Sequence, residues 1–154
     1  VSVTSSCLIV DDSDVVRKVM RTIIEGLGLD VQEAASVDEA LSICRAKLPD
    51  LVVLDWHIPG SVPLELVQTL RASSLGQRVK ILYVMTNFDG GELARARGAG
   101  ISEHMGKPFR RVQLEAKVIG LLAKPRDEAD TEIAPAPITA TRRLRPSLAR
   151  AIGQ

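Results

Sequence analysis

The chain has 154 residues, enough for one domain and a stretch beyond it, and 45% of them are hydrophobic, which supplies a core. A formal net charge of +1 excludes the global field that draws a protein to nucleic acid or to an anionic membrane. No signal-peptide pattern and no run of about 18 apolar residues is present, so a soluble cytoplasmic protein is expected.

The first element is the apolar run "CLIVDD", a buried strand stopped by Asp11 and Asp12. From Asp14, apolar residues at 15, 16, 19, 20, 23, 24 and 27 fall on one helical face, and Gly26 and Gly28 end it. "DVQEAA" around Val31 is a shorter strand. "SVDEALSICRAKL" is a helix opened by the capping-box pair Ser36 and Glu39. "DLVVLDW" repeats the first pattern, with Leu51 to Asp55 as a strand ending in an acid. Pro63 suits the first turn of the helix "VPLELVQTLRA". "VKILYVMT" is a third buried strand, Val79 to Thr86. The helix "DGGELARARGA" is weakened by Gly90 and Gly91. A short strand "ISEHM" around Ile101 and the helix "FRRVQLEAKVIGLLA" complete the series. Cys7 and Cys44 sit in apolar runs and are expected as small buried hydrophobes.

Five alternations of strand and helix require a parallel sheet covered by helices on both faces. Such α/β sheets take ligands beyond the carboxyl ends of their strands. Asp11, Asp12 and Asp55 lie at two of those ends, and carboxylates brought together repel. Oxygen-only ligands of this kind favour Mg²⁺. Thr86 ends the fourth strand and Lys107 follows the fifth. Acids, a hydroxyl and an ammonium in one crevice suit phosphoryl transfer, with a carboxylate as nucleophile.

The "DD" at 11–12, "DWHIPG" at 55–60, "MT" at 85–86 and "GKPF" at 106–109 closely resemble the CheY-like receiver domain of two-component response regulators. The resemblance covers residues 1–123. It implies a flavodoxin-like (βα)5 fold with strand order 2-1-3-4-5. It also implies Asp55 as the phosphoacceptor. Mg²⁺ would be held by Asp55 and Asp12 directly, by Asp11 mainly through water, and by the backbone carbonyl of His57. Thr86 and Lys107 would bind the phosphoryl oxygens. The donor would be a histidine kinase or phosphotransfer protein. Such a domain is a signalling module that catalyses its own phosphorylation and dephosphorylation, not an enzyme acting on a separate substrate. The side chains of Trp56 and His57 are expected at the rim. His104 stands where the family usually has the Tyr or Phe that swings inward on activation, and Pro63 where a glycine is common. Phosphorylation chemistry is therefore expected intact and its usual readout altered.

Residues 124–154 form an irregular tail, polarised in charge. Asp127, Glu128, Asp130 and Glu132 come first, and Arg142, Arg143, Arg145 and Arg150 come last. The Pro/Ala-rich segment is expected to be disordered until it binds, with a short helix near 146–152. It is too short for a DNA-binding domain. Guanidinium groups fork onto phosphates and the O6/N7 edge of guanine, while carboxylates accept from the opposite edge. That inventory matches cyclic di-GMP. A receiver with an arginine-rich tail resembles the Cle subgroup of CheY-like proteins, which bind cyclic di-GMP through the tail and act on the flagellar motor. The candidate ligand residues are Arg126, Asp127, Asp130, Arg142, Arg143, Arg145 and Arg150. The alternatives are an inert solvated tail, and contact with RNA, DNA or anionic lipid. The tail lacks aromatics for base stacking and its acids repel a polyanion. Its stripe of Leu144, Leu148 and Ile152 is modest for membrane insertion.

Overall fold

The computed structural model describes residues 4–87 and 89–123. The tail, with its candidate arginines, acids and short helix, lies outside the described residues. Among the described residues five strands and five helices alternate: β1 (Ser6–Val10), α1 (Asp14–Glu25), β2 (Asp30–Ala34), α2 (Val37–Ala46), β3 (Leu51–Asp55), α3 (Pro63–Arg71), β4 (Lys80–Met85), α4 (Gly90–Ala99), β5 (Glu103–Gly106) and α5 (Arg111–Ala123). A 3₁₀ turn, Gly76–Arg78, precedes β4. The sheet is parallel throughout in the order β2-β1-β3-β4-β5, as expected from the sequence.

Strand residues alternate between two cores. Leu8, Val10, Val52, Leu54, Ile81, Tyr83 and Met85 pack on the side of α2, α3 and α4. Cys7, Ile9, Leu51, Val53, Leu82 and Val84 pack on the side of α1 and α5. Burial on both faces explains why β1, β3 and β4 read as continuous apolar runs. Cys7 and Cys44 are buried thiols, and burial pushes the pKa of both upward. Among the described residues no helix is long and apolar enough to cross a membrane.

Helix boundaries follow local chemistry. Ser13 Oγ accepts from Val16 N–H at 3.2 Å and starts α1. Ser36 Oγ accepts from Glu39 N–H at 3.1 Å, the expected half of a capping box. The other half differs, because Glu39 Oε1 accepts from Ala35 N–H at 2.7 Å, one residue before the cap. Pro63 occupies the first turn of α3. The fifth strand begins at Glu103, two residues beyond Ile101. Ile101 N–H instead bonds the Ala96 carbonyl at 3.2 Å, and Gly100, at φ 113°, bonds that of Arg97 at 3.1 Å. These two bonds form a Schellman end to α4 and draw Ile101 out of the strand.

Two glycines should respond oppositely to alanine. A Cβ on Gly76 would lie 2.0 Å from the Leu70 carbonyl oxygen, so Gly76→Ala should lower stability by about 2 kcal/mol or more. A Cβ on Gly120 of α5 would meet nothing within 4 Å, so Gly120→Ala should raise stability by about 0.5–1 kcal/mol. Urea unfolding of both variants against the parent measures the difference.

Candidate functional site

Strand order and register assemble the acidic site. β1 and β3 are neighbours, and Val10 aligns with Leu54. The next residues, Asp11 and Asp55, therefore emerge at the same level of adjacent strands. Trp56 N–H bonds the Val84 carbonyl at 2.9 Å, which carries the β3–β4 pairing past Asp55 and holds its backbone. Asp11 is held similarly by its N–H to Ala34 O at 3.1 Å, and Arg17 of α1 donates to its carbonyl at 2.6 Å. Asp11 and Asp55 are buried at 1% and 5% exposure, and Asp12 beside them is exposed. One carboxylate oxygen from each of Asp11, Asp12 and Asp55 lies within 4.8 Å of the others.

Lys107 supplies the opposing charge. Its N–H bonds Met85 O at 2.7 Å, and a cis peptide joins it to Pro108. From the end of β5 its stem crosses the end of β4. Its Nζ reaches Asp11 Oδ2 at 2.8 Å and Asp55 Oδ1 at 3.3 Å. The first contact is a hydrogen bond. The second is close enough for charge attraction but poorly aimed, and Asp55 Oδ1 is left buried without a hydrogen-bond partner. Asp11 has no such vacancy, because Ser13 N–H bonds its Oδ1 at 2.9 Å. Burial first, and then the Asp11 charge, hold the Asp55 carboxyl above its ordinary pKa of 3.8, although Lys107 pulls the other way. Burial alone would lower the pKa of Lys107, but the bond to Asp11 and the charges of Asp55 and Asp11 outweigh it and hold the pKa above its ordinary value.

Thr86 is exposed at the end of β4 and lines a cavity of about 390 Å³ together with Lys107. Val15, Val16 and Val19 of α1 and Pro108 and Phe109 form its other walls. This apolar surface beside the acids was missed in the sequence. Val15 and Val19 continue the apolar face of α1, yet they are 71% and 48% exposed. An apolar face wider than the core can cover was the available signal. His57 is exposed, as expected of a rim residue. Trp56 is not simply at the rim: it packs against the α2–α4 core with its Nε1 buried and unbonded, its ring 5.8 Å from that of His57. His104 is half-buried on β5.

A buried carboxylate with one oxygen lacking a hydrogen-bond partner and two neighbouring carboxylates make a fitting set of hard oxygen donors for Mg²⁺. An Asp55 oxygen can also act as a nucleophile towards phosphorus.

The response regulator receiver domain family matches residues 7–119, and the chain belongs to that family. Among characterised relatives, the phosphate regulon transcriptional regulatory protein PhoB of Pseudomonas aeruginosa is 31% identical, over 79% of this chain and 53% of its own length. The KDP operon transcriptional regulatory protein KdpE of Escherichia coli is 29% identical, over 74% of this chain and 49% of its own. The chain thus spans about half the length of these relatives. A crystal structure described as a response regulator from Chloroflexus aurantiacus superposes with a TM-score of 0.74 at 30% identity, covering 79% of this chain and all of that one. The Vibrio cholerae chemotaxis protein CheY4 superposes at 0.73 with 24% identity, over 77% of this chain and 99% of its own, a likeness of fold.

Because the fold raises the Asp55 pKa, ionising this group costs stability. That cost is absent at low pH, grows as pH rises from the ordinary value of 3.8 through the raised one, and is then fully present. Without divalent cations, Asp55→Asn should therefore be more stable than the parent at pH 7, by about 1–2 kcal/mol. It should melt roughly 2–8 °C higher and lose most of the added stability that Mg²⁺ gives the parent. Thermal melts with and without Mg²⁺, from pH 4 to 8, test both effects.

Proposed function

We propose that the protein is a response regulator whose Asp55 accepts a phosphoryl group from a histidine kinase or phosphotransfer protein. The observation that carries this reading is the buried, unpartnered Oδ1 of Asp55 beside Asp11, Asp12 and Lys107. Desolvation makes this carboxylate a stronger base than a free one, and so a better nucleophile once ionised. One of its oxygens bonds to phosphorus as the phosphorus–nitrogen bond of the donor breaks. The donor histidine keeps the electron pair and takes up a proton. Lys107, already 3.3 Å from that oxygen, stands ready to follow the charge onto the phosphoryl oxygens, and Thr86 offers its hydroxyl from the end of β4. Asp12 and Asp55 would hold Mg²⁺ directly, with the His57 carbonyl. Asp11, whose two oxygens are already engaged, would act through water. The cation would neutralise charge on the transferred group.

The exposed valines of α1 and Phe109, around the cavity at Lys107, suit a protein donor docked over the site. Val15→Asp should slow labelling by a phosphorylated donor protein about 10-fold or more and leave labelling by acetyl phosphate unchanged. Asp55→Asn should abolish Mg²⁺-dependent labelling by either donor. Retention of equal labelling in that variant would remove Asp55 from the role.

The tail carries the second part of the proposal. Arg142, Arg143, Arg145 and Arg150, with Arg126, Asp127 and Asp130, bind cyclic di-GMP, and the complex docks on a protein target, the flagellar motor. Support comes from the residue types alone: forked donors for phosphate and guanine, acids for the guanine N–H edge, and no aromatics for a nucleic-acid strand. The relatives PhoB and KdpE are described as transcriptional regulatory proteins, so DNA is the competing ligand to test. Calorimetry should show cyclic di-GMP binding to the full chain and none to a chain ending at Lys124. Arg143→Ala and Arg145→Ala should each weaken it roughly 5- to 100-fold, and Asp55→Asn should leave it nearly unchanged. Binding that survives removal of the tail would place the ligand elsewhere, and tight binding of DNA instead would favour the competing reading.

A further inference from the structure

Tyr83 is the one tyrosine in the chain, and it is completely buried. It lies within β4, aligned with Leu54 of β3 and with His104 of β5. Aligned residues of a parallel sheet share a face. Tyr83 and His104 therefore both point to the α3–α4 side, where Tyr83 packs in one cluster with Leu54, Leu93 and Ala96. They differ in depth. The His104 side chain keeps 33% of its exposure, and its Nδ1 stands 3.7 Å from Glu103 Oε1. The inner position on this face is filled by Tyr83.

A buried phenol needs a hydrogen-bond partner. Tyr83 finds one on another element. Its hydroxyl donates to Glu92 Oε2 in the first turn of α4 at 2.5 Å. The other oxygen of that carboxylate accepts from Arg95 Nη2 at 2.8 Å, and the Glu92 side chain is only 14% exposed. The contact ties α4 to the centre of the sheet. Its apolar anchors are few: α4 buries Leu93 and Ala96, with Ala99 packed against the same core, and Gly90, Gly91 and Gly98 weaken it. Tyr83 and Glu92 also enclose a short stretch of chain. It contains Thr86, at the cavity beside Lys107, and Asp89, which caps α4 through Gly91 and Glu92 N–H. The phenol is electrostatically linked to the site as well. Burial, the bond to Glu92, the Glu92 charge and the Asp55 charge all push its pKa upward.

We propose that the Tyr83–Glu92 hydrogen bond is a latch through which the state of the acidic site sets the position of α4, in place of an inward-swinging side chain at residue 104. The latch rests on the reading of Asp55 as phosphoacceptor. While it is closed, the first turn of α4 is held on β4. A phosphoryl group on Asp55 draws Thr86 towards its oxygens and pulls the segment leading to Asp89. The bond opens, Glu92 turns outward with Arg95, and α4 is released.

The test uses the full chain, beryllofluoride with Mg²⁺ as a mimic of the acyl phosphate, and hydrogen exchange of the α4 amides. Fluorescence of Trp56, the single tryptophan, reports mimic binding next to Asp55. In the parent the mimic should speed α4 exchange about 10-fold. Tyr83→Phe keeps the ring and removes the hydroxyl. It should show that faster exchange without the mimic and change less than about 2-fold on adding it, while still binding it. Glu92→Gln keeps an acceptor for the phenol, so its resting exchange should stay near the parent's. His104→Ala should respond like the parent. Resting exchange in Tyr83→Phe equal to the parent's would overturn the latch. So would a response lost in His104→Ala but kept in Tyr83→Phe. If the parent does not bind the mimic at all, the phosphoacceptor reading fails, and with it the control of α4 by the acidic site. The resting exchange of Tyr83→Phe would then still decide whether the tether holds the helix.

Discussion

The controlling constraint is the placement of two buried carboxylates at the same level of adjacent strands. Asp11 and Asp55 follow aligned residues of β1 and β3, so neither can move away from the other without breaking the sheet. Their repulsion is offset by one ammonium, and geometry lets Lys107 hydrogen-bond only Asp11 well. The remaining electrostatic deficit falls on Asp55. It appears there as a raised pKa and an oxygen without a partner. A buried carboxylate whose charge is not fully compensated favours the arrival of a cation or an electrophile. The same constraint explains the reinforcement around it: Arg17 on the Asp11 carbonyl, Ser13 N–H on its side chain, and the Trp56–Val84 bond beyond β3.

The sheet divides the consequences between its two faces. On the α1–α5 side, the helix carries more apolar surface than the core needs, and Val15 and Val19 are left beside the mouth of the site. On the α3–α4 side, β4 delivers a tyrosine rather than an aliphatic residue to the core. Its hydroxyl has to be satisfied, and the nearby acid of α4 satisfies it. The two faces thus differ: one leaves apolar residues beside the site, and the other carries a buried hydrogen bond between β4 and α4. Arg71 adds a fixed edge to the second face. It donates to the carbonyls of Gly100, Gly76 and Val79, each at 2.8 Å, and so holds the far end of α4, while Asp89 and Glu92 hold its first turn.

Much of this was legible in one dimension. Apolar runs ending in Asp11 and Asp55 specify buried strands with acids at their carboxyl ends. The 3.6-residue repeat of α1, the Ser36 cap and Pro63 specify helices by local sterics and hydrogen bonding. Alternation of the two elements then leaves one sheet type, so the clustering of Asp11, Asp12, Asp55 and Lys107 could be expected before any coordinate. The start of β5 was misplaced because Ile101 is as suited to a strand as to closing the end of α4. Gly100 decides the matter through a left-handed turn that periodicity does not record.

What the sequence determined by itself was therefore the order of elements and the identity of the residues at the strand ends, because both follow from interactions between near neighbours in the chain. Tertiary structure alone decided how those residues share their bonds. Which of Asp11 and Asp55 keeps an unpartnered oxygen depends on the angle at which Lys107 arrives across β4. Which face of the sheet receives Tyr83, and that Glu92 lies within 2.5 Å of it, depends on how α4 packs on the sheet. A lone tyrosine in an otherwise aliphatic strand, followed nine residues later by an acid, was a visible hint. The bond itself needed three dimensions, because its strength comes from burial that the rest of the fold provides.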